Sequence, residues 1–244
     1  MSSSTELPAP VALVTGATSG IGREVARKLA ADGFAVLVHG RDAARGAAVV
    51  NEITAAGRQA RFVAADLTAA ADIERLAAEA ADAEVLVNNA GFSWFGPTAD
   101  LAPATFDRLF AANVRSAYYL VAAIAPRMAK RGTGSIVNLG SMAGQIGLAG
   151  GAAYSATKAA LASLTRSWAA EFSPQGVRVN TIASGPAYTD GAVPDRTTAL
   201  GGTTLLARAA QPEEIADVVA FLASPEAGYI TGAVIAADGG RTAI

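Results

Sequence analysis

The chain has 244 residues, of which 52% are hydrophobic, and its formal net charge is −2. This near-neutral charge offers no basic surface for nucleic acid, and the absence of cysteine excludes disulfides, thiolate zinc sites and cysteine nucleophiles. The single histidine, His39, excludes a histidine-rich metal site, so we expect no bound metal. The length suits one large α/β domain, and we find no linker or repeat that divides residues 1–244.

The chain begins with a polar segment, residues 1–9, which we expect to be an N-terminal tail. It lacks the basic and apolar regions of a signal peptide. The longest apolar run, residues 117–125, is well short of the roughly 20 residues that span a bilayer. The sequence therefore predicts a cytoplasmic protein with no membrane partner.

Short apolar runs alternate with helical patterns along the rest of the chain. Seven runs have the character of buried strands, namely residues 11–15, 34–38, 61–64, 84–88, 135–139, 178–182 and 234–236. Helical patterns lie between them, at residues 20–31, 43–56, after Thr68, at 103–131, at 152–172 and from Pro212. This alternation predicts a doubly wound, Rossmann-type α/β fold, with a mostly parallel seven-stranded sheet and helices on both faces.

Local signals predict how several elements begin and end. Asp42 and Thr68 are expected to be helix N-caps, because short polar side chains bind the free N–H groups of a first turn. Pro126 is expected to interrupt the long helical region, because proline lacks an N–H. Residues 184–202 are rich in Gly, Thr and Pro and follow the sixth strand on the side where such folds bind ligands. We expect a mobile substrate lid there.

Three glycines lie between the first strand and the first helix, in the run Thr15-Gly-Ala-Thr-Ser-Gly-Ile-Gly22. Glycine lets the backbone approach a pyrophosphate closely, and a helix N-terminus favours anions. The spacing departs from the commonest dinucleotide fingerprint and lacks the P-loop lysine. An ordinary tight turn is the alternative, which three glycines at this place disfavour. The expected cofactor contacts are Gly16, Thr18, Ser19, Gly20, Ile21 and Gly22.

The end of the second strand, Val38-His-Gly-Arg-Asp42, is where such folds select between NAD and NADP. Gly40 leaves room, and Arg41 offers a planar fork that suits a phosphate. We therefore predict a preference for NADP(H) over NAD(H), although Asp42 supplies an acid one residue later. We interpret Asp42 as a helix cap and His39 as a rim or packing residue.

Tyr154 and Lys158 are four residues apart, so they lie on one face of a helix. A phenol titrates near 10, and a nearby ammonium lowers that pKa toward the range useful for catalysis. A Tyr-x3-Lys pair is also common on solvated helix surfaces. Ser141 favours the catalytic interpretation, because it follows the fifth strand, where its hydroxyl can bind a substrate carbonyl.

Together, these pieces resemble the short-chain dehydrogenase/reductase family over nearly the whole chain. The matching residues are the glycine run, Asn88-Asn-Ala-Gly91, Asn113, Ser141, Tyr154 and Lys158. The resemblance implies that Tyr154 is the general acid in ketone reduction and the base in alcohol oxidation. It implies that Lys158 lowers the pKa of the tyrosine and binds the nicotinamide ribose, that Ser141 orients the carbonyl, and that Asn113 holds a relay water.

The same resemblance implies further contacts. Asp66 and Leu67 would contact the adenine, and Ile182 and Thr189 the nicotinamide carboxamide. The other implied cofactor contacts are Asn88, Ala90, Gly91 and Gly185. Apolar candidates near the substrate are Phe92, Trp94, Met142, Ala143, Ile146 and Tyr188. They predict an uncharged or partly aromatic substrate, since we find no arginine cluster for a highly anionic one.

The family also implies a homotetramer. One helix, residues 152–172, has a small-residue face that suits close packing against a partner helix, or equally burial within the same subunit. That face comprises Ala156, Ala159, Ala160 and Ser163. One departure concerns the Pro-Gly pair that usually follows the sixth strand, where this chain has Ser184 before Gly185. Serine does not fix φ, so we predict a looser loop with altered substrate access.

The leading hypothesis is NADP(H)-dependent reduction of a ketone to a secondary alcohol, or the reverse. The first alternative is reduction of 3-oxoacyl thioesters in fatty-acid synthesis, which needs a basic surface for an acyl carrier protein. Arg127, Lys130 and Arg131 form the one clear cluster, which equally fits a solvated helix end. The second alternative is a dinucleotide-binding regulator without turnover, against which the set of four expected catalytic residues argues.

Overall fold

The structure, a computed structural model, describes residues 9–244, so the tail expected at residues 1–9 lies outside the described residues except for Ala9. One sheet runs through the described chain, and its seven strands are all parallel, in the order β3-β2-β1-β4-β5-β6-β7. The strands are β1 (Val11–Val14), β2 (Ala35–Gly40), β3 (Ala60–Ala64), β4 (Ala83–Asn88), β5 (Gly134–Leu139), β6 (Val177–Ser184) and β7 (Val234–Ala237). The predicted strands are confirmed to within two residues at each end.

Helices cover both faces of this sheet. Within residues 9–244 they are α1 (Gly20–Ala31), α2 (Ala43–Ala55), α3 (Ala70–Glu79), α4 (Pro103–Phe110), α5 (Ser116–Arg131), α6 (Ala152–Phe172), α7 (Pro194–Gly201) and α8 (Pro212–Ala223). Side chains alternate along each strand, so Ala12 and Val14 join one apolar cluster and Leu13 joins the other. Helices α1, α2 and α8 bury the first cluster, and α3, α5 and α6 bury the second. The predicted doubly wound fold is confirmed.

Two predicted helix boundaries are wrong. Thr68 does not cap α3, whose N-cap is Ala69. The Thr68 N–H and hydroxyl instead both donate to Asp66, at 2.9 and 2.8 Å, in a turn before the helix. Pro126 does not interrupt α5, because it lies on an exposed face, where water can bind the carbonyl that its missing N–H leaves free. The interruption is a π-helical turn, Ala111–Arg115, between α4 and α5.

The segment expected to be a lid contains a helix that the sequence did not predict, α7. A hydrogen bond of 3.0 Å joins the hydroxyls of Tyr188 and Thr198, and so ties this helix to the chain that leaves β6. Ser184 still belongs to β6 and pairs with Ala237 of β7. The expected lid segment thus begins within strand β6 and contains helix α7. Its mobility stays a prediction. None of the helices in the described part of the chain has the length and apolar character needed to cross a membrane.

Candidate active site

The glycine run forms the turn from β1 into α1 and has the backbone that a phosphate site requires. Gly16 and Gly20 have positive φ, at 65° and 51°, which favours glycine. At Gly22, a Cβ would lie 2.2 Å from the carbonyl oxygen of Gly16. Helix α1 begins at Gly20 without a side-chain cap and with no acid in its first turn. Its free N–H groups and positive dipole end therefore fit an anion.

Asn89 and Thr15 hold this turn in place. The Thr15 hydroxyl accepts hydrogen bonds of 3.0 Å from the backbone N–H groups of Asn89 and Ala90. The Asn89 amide donates to the carbonyls of Thr15 and Gly16, at 2.9 and 3.1 Å. Asn88, in contrast, turns into the sheet, where its amide donates to Asn138 at 2.9 Å. The alternation along β4 points the Asn88 side chain away from the cleft, and Asn89 borders the cleft instead, so a cofactor contact at Asn88 stays a prediction for its backbone alone.

His39 joins the glycine turn to the end of β3. Its Nδ1 accepts a hydrogen bond of 3.1 Å from the N–H of Gly16, so Nε2 carries the proton and donates to the carbonyl of Ala65 at 3.1 Å. The ring is 3% exposed. Burial lowers the pKa of His39 to about 4, although the bond to Ala65 opposes this shift. His39 is thus a neutral packing residue that positions the backbone on two sides of the cleft.

A cleft of about 590 Å³ opens at the carboxyl ends of β1 to β4. Most of the predicted cofactor residues line it, namely Gly16, Thr18, Ser19, Gly20, Ile21, Gly22, Gly40, Arg41, Asp66, Leu67, Ala90, Gly91 and Thr189. Arg45 and Arg108 also line it and were not predicted, because their helical positions resemble ordinary surface positions. The glycine turn and these cations fit the phosphates of a dinucleotide.

Four other predicted cofactor residues do not line this cleft, namely Tyr154, Lys158, Ile182 and Gly185. Ile182 is fully buried and packs in the apolar cluster under α1 and α8, so its side chain is not free to reach a nicotinamide, and the contact stays a prediction for its backbone. The alternation along β6 turns this side chain into the core. Gly185 packs against Asp238, where a Cβ would lie 2.6 Å from the Asp238 Cα. The lid contributes Thr189 and Gly191 to the cleft instead.

The residues at the end of β2 take up distinct positions. Gly40 lies against Thr18, whose methyl carbon would be 2.4 Å from a Cβ. The Asp42 carboxylate accepts hydrogen bonds from the backbone N–H and the Nε of Arg45, at 3.0 and 3.1 Å, which confirms it as the cap of α2. Hydrogen bonds from Thr68 lower the pKa of Asp66, and the Arg41 charge lowers it further. Arg41 therefore borders the cleft, while Asp42 is engaged outside it.

Ser141, Tyr154 and Lys158 come together beside this cleft. Ser141 follows β5 and begins a short 3-10 turn, Met142–Gly144, accepting a 3.1 Å hydrogen bond from the N–H of Ala143. The Ser141 side chain also lies near enough to the Tyr154 phenol to lower its pKa. Helix α6 places the Lys158 Nζ 5.7 Å from the centroid of the Tyr154 ring. The Lys158 Nζ donates to the carbonyl of Leu139 at 2.7 Å.

Burial governs the pKa values of Tyr154 and Lys158 in this cluster. Burial raises the pKa of Tyr154, and the nearby Ser141 side chain only partly opposes that shift. Burial also lowers the pKa of Lys158 to about 8. The lowering of the tyrosine pKa by Lys158 stays a prediction, since in this structure the ammonium donates to the Leu139 carbonyl and lies over the ring face. Lys158 still keeps most of its charge at neutral pH.

Asn113 lies in the π-helical turn and connects the loop after β4 to α6. Its Oδ1 accepts from the N–H of Phe92 at 3.0 Å, and its Nδ2 donates to the Phe92 carbonyl at 2.9 Å and to the Thr157 hydroxyl at 3.1 Å. The Thr157 hydroxyl donates to the backbone carbonyl of Tyr154 at 2.7 Å. A Cβ at Gly91 would lie 2.7 Å from the Asn113 Oδ1. The asparagine side chain is therefore fully occupied in positioning.

The residues predicted to contact substrate lie around the same cluster in different settings. Met142 and Ala143 are buried, and Trp94 and Ile146 are half-buried. The Trp94 ring lies against Gly96, and Tyr188 is bound to the lid helix. Phe92 borders the cofactor cleft. Phe95 is the aromatic residue in contact with Tyr154, with ring centroids 5.5 Å apart.

The outer face of α6 is exposed. Ala156, Ala159 and Ser163 are exposed and Ala160 is half-buried, so burial within the same subunit is wrong for this face.

Arg131 of the predicted basic cluster donates to the carbonyls of Ala81 and Ala83, at 3.2 and 2.5 Å.

The fold and the cleft define a doubly wound α/β protein with a dinucleotide-type phosphate turn. The chain belongs to the short chain dehydrogenase family, whose pattern matches residues 10–199. It is 39% identical over 243 residues to a cis-4-hydroxycyclohexanecarboxylate dehydrogenase of Sinomonas cyclohexanicum, covering 96% of this chain and 97% of that protein. The resemblance drawn from the motifs is confirmed, and the oxidoreductase activity of its relatives indicates an enzyme.

Solved structures agree with this assignment. A short chain dehydrogenase/reductase family protein, 48% identical, superposes with a TM-score of 0.91, covering 98% of this chain and 100% of the other. A blue fluorescent protein from a metagenomic library, solved in complex with NADPH, is 35% identical and gives a TM-score of 0.90. That match covers 95% of this chain and 97% of the other.

Proposed function

We propose that the protein is an NADP(H)-dependent oxidoreductase that interconverts a ketone and a secondary alcohol, with Tyr154 as general acid and base. The observation that carries this proposal is the meeting of Ser141, Tyr154 and Lys158 beside the cleft of the glycine turn. A hydroxyl, a phenol and an ammonium on one side of a phosphate-binding cleft suit proton transfer to a carbonyl oxygen next to a dinucleotide.

The residues that would hold the dinucleotide are those of the cleft wall, with the glycine turn at the phosphates. When bound, the nicotinamide supplies or accepts the hydride at the carbinol carbon. In reduction, the Ser141 hydroxyl orients the carbonyl, and the Tyr154 phenol gives its proton to the carbonyl oxygen. In oxidation, the Tyr154 phenolate takes the alcohol proton. The raised pKa of Tyr154 keeps its proton in place before reduction.

Lys158 and Asn113 support that transfer. The Lys158 ammonium lies over the Tyr154 ring and stabilises the phenolate that forms when the proton leaves. The amide of Asn113 is bound to Phe92 and Thr157, so a relay water would be held by its main-chain carbonyl. A π-helical turn leaves carbonyls displaced from the regular helix pattern. Proton return to Tyr154 would follow from Lys158 and that water.

The preference for NADP(H) is supported by the end of β2. Arg41 and Arg45 border the cleft, whereas the Asp42 carboxylate is engaged by Arg45 and caps α2. A guanidinium binds a ribose phosphate through paired hydrogen bonds, and Asp42 is not among the residues that line the cleft. The relative solved with NADPH is consistent with this choice.

For the substrate, we propose a small ketone or secondary alcohol, and the named relative that acts on a hydroxycyclohexane acid makes cyclic compounds the first to assay. We also propose that the whole chain works as one domain and assembles as a homotetramer through the exposed small-residue face of α6. The cytoplasmic location stays a prediction.

The 3-oxoacyl-thioester alternative is disfavoured by the basic cluster. Arg127 and Lys130 are at the end of α5 that leads into the amino end of β5, on the edge of the sheet opposite to the cleft. An acyl carrier bound there would be on the wrong side for Tyr154. The non-catalytic alternative is disfavoured by the convergence of Asn113, Ser141, Tyr154 and Lys158.

The test is steady-state turnover of cyclic ketones with NADPH and with NADH, by wild type and by Tyr154→Phe. We expect turnover by wild type, with kcat/KM for NADPH well above that for NADH. We expect Tyr154→Phe to bind the cofactor and to lose at least about 100-fold in kcat, the usual contribution of a general acid. Cofactor binding without turnover of any ketone or alcohol by wild type would favour the non-catalytic alternative.

A further inference from the structure

The lid carries an arginine that reaches the catalytic cluster through one aromatic ring. The guanidinium carbon of Arg196, on α7, lies 4.3 Å from the centroid of the Phe95 ring. The Phe95 ring lies 5.5 Å from the Tyr154 ring. Arg196, Phe95 and Tyr154 thus follow one another in contact, although they come from the lid, the loop after β4 and helix α6. The sequence separation of these three residues explains why no local pattern predicted the contact.

The positive charge of Arg196 has no acidic partner in residues 9–244. The ion pairs of the described chain all use other basic residues, and the neighbouring Asp195 is exposed and forms none. A second arginine, Arg108, lies 5.3 Å from the ring centroid of Phe92 in the same loop. The loop after β4 therefore has one cation over each of two phenyl rings.

The geometry suits an anion in the plane of the guanidinium. A guanidinium that stacks on a ring uses its face for that contact, and its N–H groups stay free at the edge, where they match the two oxygens of a carboxylate. The hydrogen bond of 3.0 Å between Tyr188 and Thr198 ties α7 to the chain leaving β6, and the exposed side chain of Arg196 lies on the Phe95 ring.

We propose that Arg196 binds a carboxylate of the substrate, so that the enzyme acts on keto acids and hydroxy acids. The reacting carbon lies at Tyr154, the spacer lies against Phe95, and the carboxylate lies at Arg196, several bonds away. This inference rests on the proposed function and replaces the uncharged substrate expected from the apolar residues alone. The competing reading is that Arg196 only holds the lid against Phe95.

Binding alone tests the inference without any turnover. Cyclohexanecarboxylate and cyclohexanecarboxamide have the same shape and differ in charge, and neither can be oxidised at a carbinol. Calorimetric titration in the presence of NADP+ is expected to give at least 10-fold tighter binding of the acid by wild type. Arg196→Gln is expected to abolish that difference, and Arg58→Gln, an exposed arginine in the turn after α2, is expected to keep it. Equal binding of acid and amide by wild type, or a preference that survives in Arg196→Gln, overturns the inference.

Turnover separates recognition from lid closure. The substrates are 4-oxocyclohexanecarboxylate and its methyl ester. For Arg196→Gln we expect the loss in kcat/KM for the acid to exceed the loss for the ester by about 10- to 100-fold, the range of a charge-assisted bidentate contact. Equal losses for both would show that Arg196 only holds the lid. Absence of turnover of these two ketones and of every other ketone and alcohol by wild type counts against the proposed function, and the binding difference still decides the inference.

Discussion

The buried His39 predicts that the free energy of unfolding depends on pH, and the surroundings of the ring set the size of that dependence. The ring is buried and neutral, with Nδ1 accepting from Gly16 and Nε2 donating to Ala65. Its pKa falls from 6.5 to about 4, mainly through burial. The charges near it partly cancel, since Arg41 and the more distant Arg75 lower the pKa and Asp72 raises it.

Proton linkage determines whether the free energy of unfolding rises or falls with pH. Between pH 6.5 and 4 the unfolded chain protonates this histidine and the folded chain does not, so the free energy of unfolding falls as the pH falls. The stabilising contribution is complete above pH 6.5 and is lost by about pH 4. One pKa unit corresponds to about 1.4 kcal/mol, so the loss from this single group is about 3 kcal/mol.

Two variants isolate this titration. In His39→Asn the side-chain oxygen retains an acceptor for Gly16, and in His39→Gln the longer amide retains a donor for Ala65, but neither titrates. Each loses one hydrogen bond, which costs about 1–2 kcal/mol at pH 7. Because only the wild type loses stability to histidine protonation, the curves of unfolding free energy against pH should cross near about pH 5.

The assay is urea unfolding across this pH range, together with the NMR titration of the only histidine in the chain. The carboxylates titrate alike in wild type and variants, so their effect cancels in the difference. Parallel stability curves for wild type and both variants from pH 7 to about pH 4.5, or a histidine pKa near 6.5, would refute the reasoning.

Three further predictions concern the cofactor and the lid. Gly22→Ala places a methyl group against the Gly16 carbonyl, so it should weaken NADPH binding at least about 10-fold in a fluorescence titration. The control is Gly147→Ala, whose methyl group enters open space and should leave NADPH binding unchanged. Equal NADPH affinities of the two variants would contradict the cofactor role of the glycine turn. Arg41→Ala should raise the KM for NADPH about 10-fold and leave the KM for NADH unchanged. An equal change in both KM values would show that Arg41 does not determine the preference for NADP(H). Ser184→Pro should raise the free energy of unfolding by about 0.5–1 kcal/mol and shift the relative kcat/KM among ketones, and an unaltered profile and stability would dismiss the looser loop.

The strands and most helices were predictable because their signal is local. Apolar runs of three to five residues predicted the parallel sheet, and the period of 3.6 predicted its covering helices, including α1 and α6 with their observed bounds. The predictions of a helix cap at Thr68 and of a helix interruption at Pro126 failed, because caps and interruptions depend on which partners each residue finds in the folded chain. The Asp66 carboxylate binds Thr68, and solvent tolerates the proline on an exposed face.

The motifs predicted that Ser141, Tyr154 and Lys158 meet and predicted most of the cleft wall, and side-chain direction explains two predicted residues that do not line it. Asn88 and Ile182 both lie on strands at the ligand edge, yet the alternation of the strand turns each away from the cleft. The role of His39 and the contact between Arg196 and Phe95 each join segments far apart in the chain. Only the packed fold brings these residues together, so no window of sequence contains them.

The central claim is that Tyr154 exchanges the proton while the cleft holds the dinucleotide. The most direct measurement is a single-turnover experiment, in which the loss of NADPH absorbance on mixing with a cyclic ketone is followed for wild type and Tyr154→Phe at equal cofactor occupancy. The claim predicts rapid oxidation of bound NADPH by wild type and at least about 100-fold slower oxidation by the variant. Equal rates in the two proteins would contradict it.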